Sequence, residues 1–251
     1  IIEGITESLP ISSTGRLLIA EHWLGHRSDL FNIAIQSGAI LAVVLIYWRR
    51  LWDLLTGINK PENLDYVLKL ALAFGITVVG GLVAKKLGLE LPDTVAPVAW
   101  ALIVGGLVIF AVEWRASSWS ESVRVTWAVA VAVGLAQVVA AVFPGTSRSA
   151  ATIFAAMLLG LTSRAAAADF AFILGIPTMF AASAYELLKM RGNPQAFANE
   201  AWGDLAVGFV VSAIVAFIAV KWLLRYIQTH KFTAFAWYRI ALGAGLLIFV
   251  P

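Results

Sequence analysis

The sequence predicts an all-α polytopic membrane protein, and three observations carry that prediction. Of its 251 residues, 61% are hydrophobic and 13% are charged, whereas soluble domains have about 25% charged residues. Uncharged runs cover residues 31–48, 94–112 and 125–147, and apolar runs of about 18 or more residues are candidates for membrane spans. The ten tryptophans lie mostly near segment ends, as in an interfacial aromatic belt. Because the runs are continuously apolar, they favour a helical bundle over a β-barrel.

Composition also excludes several classes of function. The net charge is +3, but the cations are spread over short connections and form no dense basic block, so no nucleic-acid partner is expected. The chain has no cysteine, which excludes disulfides and thiol chemistry. It begins at Ile1 rather than at a methionine, and we expect a few residues, about half of a first helix, to precede it. No cleavable signal peptide is expected.

Six segments of one domain, residues 1–251, are expected to be ordinary membrane spans. These are residues 31–48, 68–86, 94–112, 168–187, 204–222 and 233–250. Arg49 and Arg50 follow the first of them, which places that connection in the cytoplasm. Alternation then puts Arg115 and Arg124 inside, and Lys85 outside.

Two further segments are interrupted. Residues 1–22 contain Pro10 and the cluster Ser12-Ser13-Thr14-Gly15, and residues 125–163 contain Pro144-Gly145 followed by Thr146-Ser147-Arg148-Ser149. Proline removes a backbone donor and glycine loosens a helix. Backbone freed in this way at membrane depth is tolerated where it lines a cavity or packs inside protein. The sequence therefore places the functional site at these two interruptions.

The interrupted segments share a pattern. Gly4 and Glu7 precede the first proline, and Gly134 and Gln137 precede the second, so both segments fit G-x-x-[EQ] followed by P-x-[ST]-S with gaps of different length. Broken helices at corresponding positions indicate a midplane site built from internal repeats. We therefore expect two repeat-like halves, 1–124 and 125–251, with re-entrant elements of inverted orientation.

The side chains at the interruptions indicate phosphate chemistry. Glu3 and Glu7 are four residues apart and share a helix face, which suits Mg²⁺ or Ca²⁺; the alternative is a solvated face at the membrane surface. The hydroxyl cluster can bind phosphate at a helix start or act as a plain N-cap. Arg148 lies in an otherwise uncharged run, so it requires an anionic partner: either phosphate or, in a structural salt bridge, Glu3 or Glu7.

These residues resemble a known family. The stretch from Glu3 to Gly15 is similar to the E-G-x-T-E-x-L-P-x-S-S-T-G signature of the undecaprenyl-diphosphate phosphatase (bacitracin-resistance protein) family. The stretch from Pro144 to Ser149 resembles that family's second motif, P-G-x-S-R-S. Shorter matches at 35–38, 47–50 and 238–239 extend the likeness over nearly the whole chain.

The resemblance implies a bacterial inner-membrane enzyme that removes the terminal phosphate of a polyprenyl diphosphate lipid, recycling the carrier for cell-wall synthesis. Its all-helical fold would have two re-entrant elements, with the site open to the periplasmic side. Glu7, Ser13 and Arg148 would be catalytic, Ser13 acting as nucleophile or phosphate ligand. Glu3 and Glu7 would hold a divalent metal, Mg²⁺ or Ca²⁺. Further substrate-binding residues would be Ser12, Thr14, Arg16, Ser147, Ser149 and Gln137.

One residue departs from the family pattern. The family usually has histidine after S-S-T-G, and this chain has Arg16. Arginine keeps its proton at neutral pH, so Arg16 can bind phosphate but cannot act as a base. Either Glu7 and a metal activate the nucleophile, or activity is reduced, or the substrate differs. A lipid-phosphate transporter using the same anion site is the alternative function, and formation of a homodimer is left open.

Overall fold

The structure, a computed structural model, describes residues 1–12, 28–89, 94–190 and 201–249. Within these ranges it is helical and contains no strand, which confirms the predicted fold class. The helices are α1 (Ile2–Thr6), α2 (Asp29–Thr56), α3 (Pro61–Lys86), α4 (Val95–Ala116), α5 (Trp127–Val142), α6 (Arg148–Leu158), α7 (Arg164–Met190), α8 (Trp202–Thr229) and α9 (Thr233–Phe249).

Each of the six predicted spans lies on one helix. Helices α2, α3, α4, α7 and α8 are long and apolar enough to cross a membrane, and α9 is a shorter apolar helix. Large apolar side chains remain exposed on their outer faces, among them Trp100, Trp114, Trp202 and Trp237, each more than half exposed. A soluble protein rarely exposes so much apolar surface, so the exposed faces fit a lipid environment.

Helices α5 and α6 form a hairpin, and hydrogen bonds join the segment that precedes α5 to the segment that follows α6. The Thr162 hydroxyl donates to the carbonyl of Ser120 (2.6 Å) and accepts from the N–H of Ser122 (2.7 Å). The N–H of Ser163 donates to the Ser122 carbonyl at 2.9 Å. The chain therefore enters and leaves this hairpin at the same end of the molecule, with residues 143–147 at its tip. This geometry supports the re-entrant prediction, while its depth in a membrane stays a prediction.

The glycines of the shared sequence pattern lie at helix crossings. A Cβ added at Gly4 would meet the Ser212 carbonyl oxygen of α8 at 2.6 Å, and one at Gly134 would meet the Ala73 carbonyl oxygen of α3 at 2.8 Å. Thus α1 packs closely on α8, and α5 packs closely on α3. Each interrupted segment therefore contacts a long helix of the other predicted half, and the repeat relation of the two halves stays a prediction.

A buried carboxylate joins three elements at the end of the molecule opposite the hairpin tip. Glu113, near the end of α4, is 1% exposed and accepts from two nitrogens of Arg164 at the start of α7. It also accepts from the N–H of Phe232, in the turn between α8 and α9, at 2.9 Å. Glu113 thereby fixes the relative positions of α4, α7 and the α8–α9 turn.

We expect Glu113→Ala to lower the free energy of unfolding by about 3–5 kcal/mol, because it leaves the Arg164 guanidinium without its buried partner. Unfolding of the purified protein by sodium dodecyl sulfate, followed by circular dichroism, measures this change. Glu62→Ala, at an exposed position in the first turn of α3, is the control. Equal stability of the two variants would contradict the structural role given to Glu113.

Candidate active site

The two interruptions meet at the centre of the molecule. Arg148, the first residue of α6, donates from Nη2 to Glu7 Oε1 at 2.9 Å. The next residue, Ser149, donates from its hydroxyl to the Leu9 carbonyl at 2.9 Å. Residues separated by about 140 positions in the chain therefore form one site, as the sequence pattern predicted.

The backbone is strained at one serine in each interruption. Ser12 has φ 69° and Ser147 has φ 67°, a left-handed conformation that non-glycine residues seldom adopt. Such conformations persist where surrounding structure enforces them, and they cluster at functional sites. The Ser147 hydroxyl also accepts from the N–H of Ala150 at 3.3 Å, which caps α6. Arg148 therefore lies at the capped start of α6.

A polar cavity of about 320 Å³ lies against both interruptions. Its polar lining combines groups from the two interruptions, α5 and three long helices: Thr6, Glu7, Ser12, Gln36, Thr77, Gln137, Ser147, Arg148 and Thr178. The side chains of Glu7 and Arg148 are 13% and 27% exposed, so a bound molecule can reach both. The cavity thus offers one carboxylate, one guanidinium and several hydroxyl and amide groups.

Among the described residues, several buried polar groups around this cavity have no hydrogen-bond partner. Both carboxylate oxygens of Glu3 lack one, as do both amide atoms of Gln137 and the hydroxyls of Thr6 and Ser12. Buried polar atoms are nearly always paired, so each orphaned group calls for an explanation such as a ligand, an ion or water. Glu3 is 2% exposed and is not among the residues that line the cavity.

The donor set fits a divalent cation. Glu3 and Glu7 share one face of α1, and the unpartnered oxygens of Glu3, Thr6, Ser12 and Gln137 are hard ligands of the kind Mg²⁺ and Ca²⁺ take. In the part of the chain that the structure describes, no three acidic, histidine or cysteine side chains lie close enough together to hold a metal ion. A cation held by Glu3 and Glu7 would therefore complete its coordination with hydroxyl, amide, water or phosphate oxygens.

An apolar cavity of about 370 Å³ adjoins the polar one. The two share Thr77, Ala141, Thr178 and Ala182 in their linings. From these residues the apolar cavity extends between α3, α5 and α7 toward Lys85 and Tyr185. The combined space is amphiphilic: it is polar at the two interruptions and apolar toward Lys85 and Tyr185.

Apart from the buried Glu3, the sequence-predicted residues fall into three groups. Glu7, Ser12, Gln137, Ser147 and Arg148 line the polar cavity. Ser149 is close by, but its hydroxyl proton is donated to the Leu9 carbonyl, so toward a ligand it can act mainly as an acceptor. Ser13, Thr14 and Arg16 lie outside the described residues. The Arg148–Glu7 pair is also the contact that the structural-salt-bridge alternative required, and the cavity beside it leaves both groups accessible.

Sequence reasoning missed some of the groups that shape the site. Gln36, Thr77 and Thr178 belong to long apolar helices. The family match at 35–38 includes Gln36 without giving it a role, and no motif separates Thr77 and Thr178 from other span residues. Arg239 was not assigned to the site, but it is fully buried and donates to backbone carbonyls, including those of Pro10, Gly145 and Thr146. Its isolation in an apolar segment was the available signal.

Comparisons with known proteins agree with the geometry. The family model described as bacitracin resistance protein BacA matches residues 1–245. The chain is 63% identical over 247 residues to an undecaprenyl-diphosphatase of Rhizobium etli (strain CIAT 652), covering 98% of this chain and 93% of the relative. It is 60% identical over 251 residues to an undecaprenyl-diphosphatase of Xanthomonas oryzae pv. oryzae (strain PXO99A), covering 100% of this chain and 94% of that relative.

Proposed function

This chain belongs to the bacitracin resistance protein BacA family, and we propose that it hydrolyses undecaprenyl diphosphate to undecaprenyl phosphate and inorganic phosphate. Relatives at 60–63% identity carry the name undecaprenyl-diphosphatase. The observation that carries the proposal is the Glu7–Arg148 pair, which faces a polar cavity joined to an apolar one. The reaction returns a lipid carrier to bacterial cell-wall synthesis.

Arg148 is the group best suited to bind the diphosphate. A guanidinium matches phosphate oxygens with paired donors, and the start of α6 adds N–H groups and a favourable dipole. The hydroxyls of Ser12 and Ser147 line the same cavity. Phosphoryl transfer depends chiefly on positioning and on stabilising charge, which these groups provide.

The adjoining apolar cavity suits the prenyl part of the substrate. A polyprenyl diphosphate joins a highly charged head to a long apolar chain. The polar cavity matches the head, and the adjoining apolar cavity matches the chain. The head would occupy the polar cavity at the two interruptions, and the first prenyl units would lie in the apolar cavity between α3, α5 and α7. The relatives' name gives phosphatase activity, and no feature of the described ranges favours the transporter alternative.

Besides its part in binding a cation, Glu7 has two roles in this proposal. In the free protein it neutralises Arg148 at 2.9 Å. When a phosphate group takes over as the partner of Arg148, the Glu7 carboxylate can accept the proton of the attacking hydroxyl. That hydroxyl belongs to water or to Ser13. Its oxygen forms the new bond to the terminal phosphorus, while the bond from phosphorus to the bridging oxygen breaks and undecaprenyl phosphate leaves. Attack by water gives inorganic phosphate directly. Attack by Ser13 gives a phosphoserine, and a water molecule then breaks its seryl oxygen–phosphorus bond, which releases inorganic phosphate and restores the hydroxyl.

A divalent cation, Mg²⁺ or Ca²⁺, held by Glu3 and Glu7 is part of the proposal. When bound, it would stabilise negative charge on the phosphate oxygens. The unpartnered carboxylate of Glu3 supports this assignment, since an uncompensated buried charge is costly. A rise in the thermal unfolding midpoint on adding Mg²⁺ or Ca²⁺, absent in Glu3→Gln, would reveal the binding independently of activity.

We infer that the site opens to the periplasmic side of the inner membrane. The apolar cavity runs toward Lys85 and Tyr185, where α3 and α7 end. The opposite end of the molecule carries a larger cluster of cations: Arg49, Arg50, Lys60, Arg115, Arg124, Arg164, Arg225 and Lys231. An excess of Lys and Arg marks cytoplasmic connections, which supports a cavity mouth on the outer side.

The activity is tested by analysing the lipid product. Purified protein in detergent is incubated with undecaprenyl diphosphate, and the lipid is examined by mass spectrometry. Conversion to the monophosphate with matching phosphate release supports hydrolysis. Unaltered diphosphate in the presence of folded, substrate-binding protein would reject it, because a detergent solution has no second compartment and transport leaves the lipid unchanged.

Arg16→His tests the departure from the family pattern. We expect it to preserve or raise the rate of phosphate release, because histidine can both bind phosphate and exchange a proton near neutral pH. The measurement is kcat for undecaprenyl diphosphate from pH 6 to 9 in parallel with the unaltered chain. A large loss of kcat would mean that the permanent charge of Arg16 is itself required.

A further inference from the structure

Arg239 lies in the middle of α9 with no exposed surface. Its guanidinium donates to backbone carbonyl oxygens of three separate elements. They are Leu102 (3.4 Å) and Ala101 (3.1 Å) of α4, Pro10 (3.5 Å) of the first interruption, and Gly145 (3.1 Å) and Thr146 (3.0 Å) of the second. Within the ranges that the structure describes, each of its acceptors is a backbone carbonyl.

A buried cation of this kind requires a physical reason. A charged side chain inside a membrane protein is expensive, and it is usually functional. Arginine offers five donors in a rigid fork, which suits a site where several carbonyls need partners at once. The carbonyls of Pro10, Gly145 and Thr146 lie where helices are interrupted, so the regular helical N–H donors are missing. Arg239 replaces those donors.

Arg239 contacts backbone that is adjacent in sequence to residues of the site, but it does not contact the site itself. Pro10 precedes Ser12 by two residues, and Thr146 directly precedes Ser147, the cap of α6. In the planar trans peptide between Thr146 and Ser147, the N–H is opposed to the carbonyl. Since that carbonyl accepts from Arg239, the N–H of Ser147 is directed away from Arg239. Arg239 is not among the residues lining the polar cavity.

We propose that Arg239 is a positioning residue for diphosphate hydrolysis: it fixes the two interruptions to each other and to α4, so that Glu7 and Arg148 meet at the correct separation. The proposal rests on the proposed function for its kinetic effect. The claim that Arg239 fixes the distance between the two interruptions does not depend on which reaction the site catalyses.

The chain offers a substitution that displaces Arg239 without removing it. A Cβ added at Gly105 of α4 would meet Arg239 Nη2 at 2.2 Å, so Gly105→Ala forces the guanidinium to shift. That nitrogen makes the contacts to Ala101, Gly145 and Thr146. Gly245→Ala is the matched control, because a Cβ there meets nothing within 4 Å. Both changes put alanine into a helix, where it is intrinsically favoured over glycine.

We expect Gly105→Ala to lower kcat for undecaprenyl diphosphate at least tenfold with KM changed less than threefold, and Gly245→Ala to stay within twofold of the unaltered chain. Positioning is lost chiefly in the transition state, so it affects kcat. Assays run well below the unfolding midpoint of each variant. A lower midpoint with unchanged kcat would make Arg239 purely structural and overturn the proposal. Should Gly105→Ala fail to fold, Arg239→Lys replaces it with the same expected loss, because one ammonium cannot reach all three elements.

A second measurement is independent of activity. The chain has no cysteine, so one cysteine can be introduced at each of the exposed positions Ile2 and Phe143 of the same molecule. The two cysteines are spin-labelled, and the distance between the labels is measured by pulsed electron paramagnetic resonance. We expect one narrow distance distribution in the unaltered chain and in Gly245→Ala, and a shifted or broadened one in Gly105→Ala. An unchanged distribution would overturn the proposal. Absence of phosphate release by the unaltered chain would reject the proposed function but leave this measurement decisive for Arg239.

Discussion

Arg148→Ala is expected to lower kcat for undecaprenyl diphosphate by about 10³-fold or more, the range seen when an arginine that stabilises phosphoryl transfer is removed. Arg148 is the cation that contacts Glu7 (2.9 Å) and faces the polar cavity. Its loss removes the paired donors for the phosphate and leaves the Glu7 carboxylate without its counterion. The measurement is inorganic phosphate release at saturating substrate by protein shown to be folded.

Two further variants make the Arg148 result interpretable. Arg115→Ala removes an exposed arginine at the end of α4 and should leave kcat within twofold. Arg148→Lys keeps the charge but loses the planar fork, so its activity should lie between those of Arg148→Ala and the unaltered chain. Near-normal turnover by folded Arg148→Ala would contradict the placement of the phosphate at the tip of the α5–α6 hairpin.

Glu7→Gln should lower kcat by about 10²- to 10⁴-fold, the usual contribution of a positioned general base. The amide has nearly the same shape as the carboxylate, so packing around α1 is preserved. It cannot take up the proton of the attacking hydroxyl, and it is a far weaker ligand for a divalent cation. Phosphate release by purified protein measures the loss.

Glu62→Gln, at an exposed position in the first turn of α3, is the matched control for Glu7 and should retain full activity. The circular dichroism spectrum and unfolding midpoint of Glu7→Gln establish that it is folded. Turnover by folded Glu7→Gln at the rate of the unaltered chain would show that this carboxylate has no part in the chemistry, and the site would need to be placed elsewhere.

The sequence predicted the helices and the location of the site well because both depend on local features. Apolar runs, two of them uncharged, indicated six spans, and each corresponds to one helix within the described residues. Pro144 and Gly145 marked the turn between α5 and α6 because a proline lacks the donor a helix needs. Arg148 was identified from its isolation in an apolar run, since a buried charge requires a partner.

What the sequence left undetermined depends on contacts between distant elements. No local pattern indicates that Arg239 reaches carbonyls of α4 and of both interruptions, because those contacts span 93 to 229 positions in the chain. The same holds for the hydroxyl of Ser149, which contacts Leu9 across 140 positions. The choice of Glu7 as the partner of Arg148, left open between two carboxylates, also required the packing of α1 on its neighbours.

The most direct measurement is the initial rate of inorganic phosphate release from undecaprenyl diphosphate by the purified protein, first in EDTA and then with Mg²⁺ or Ca²⁺ restored. We expect little release in EDTA and recovery on adding either cation, with one phosphate formed for each undecaprenyl phosphate. An equal rate with and without EDTA would contradict the metal role of Glu3 and Glu7. No release under any condition from folded, substrate-binding protein would contradict hydrolysis at this site.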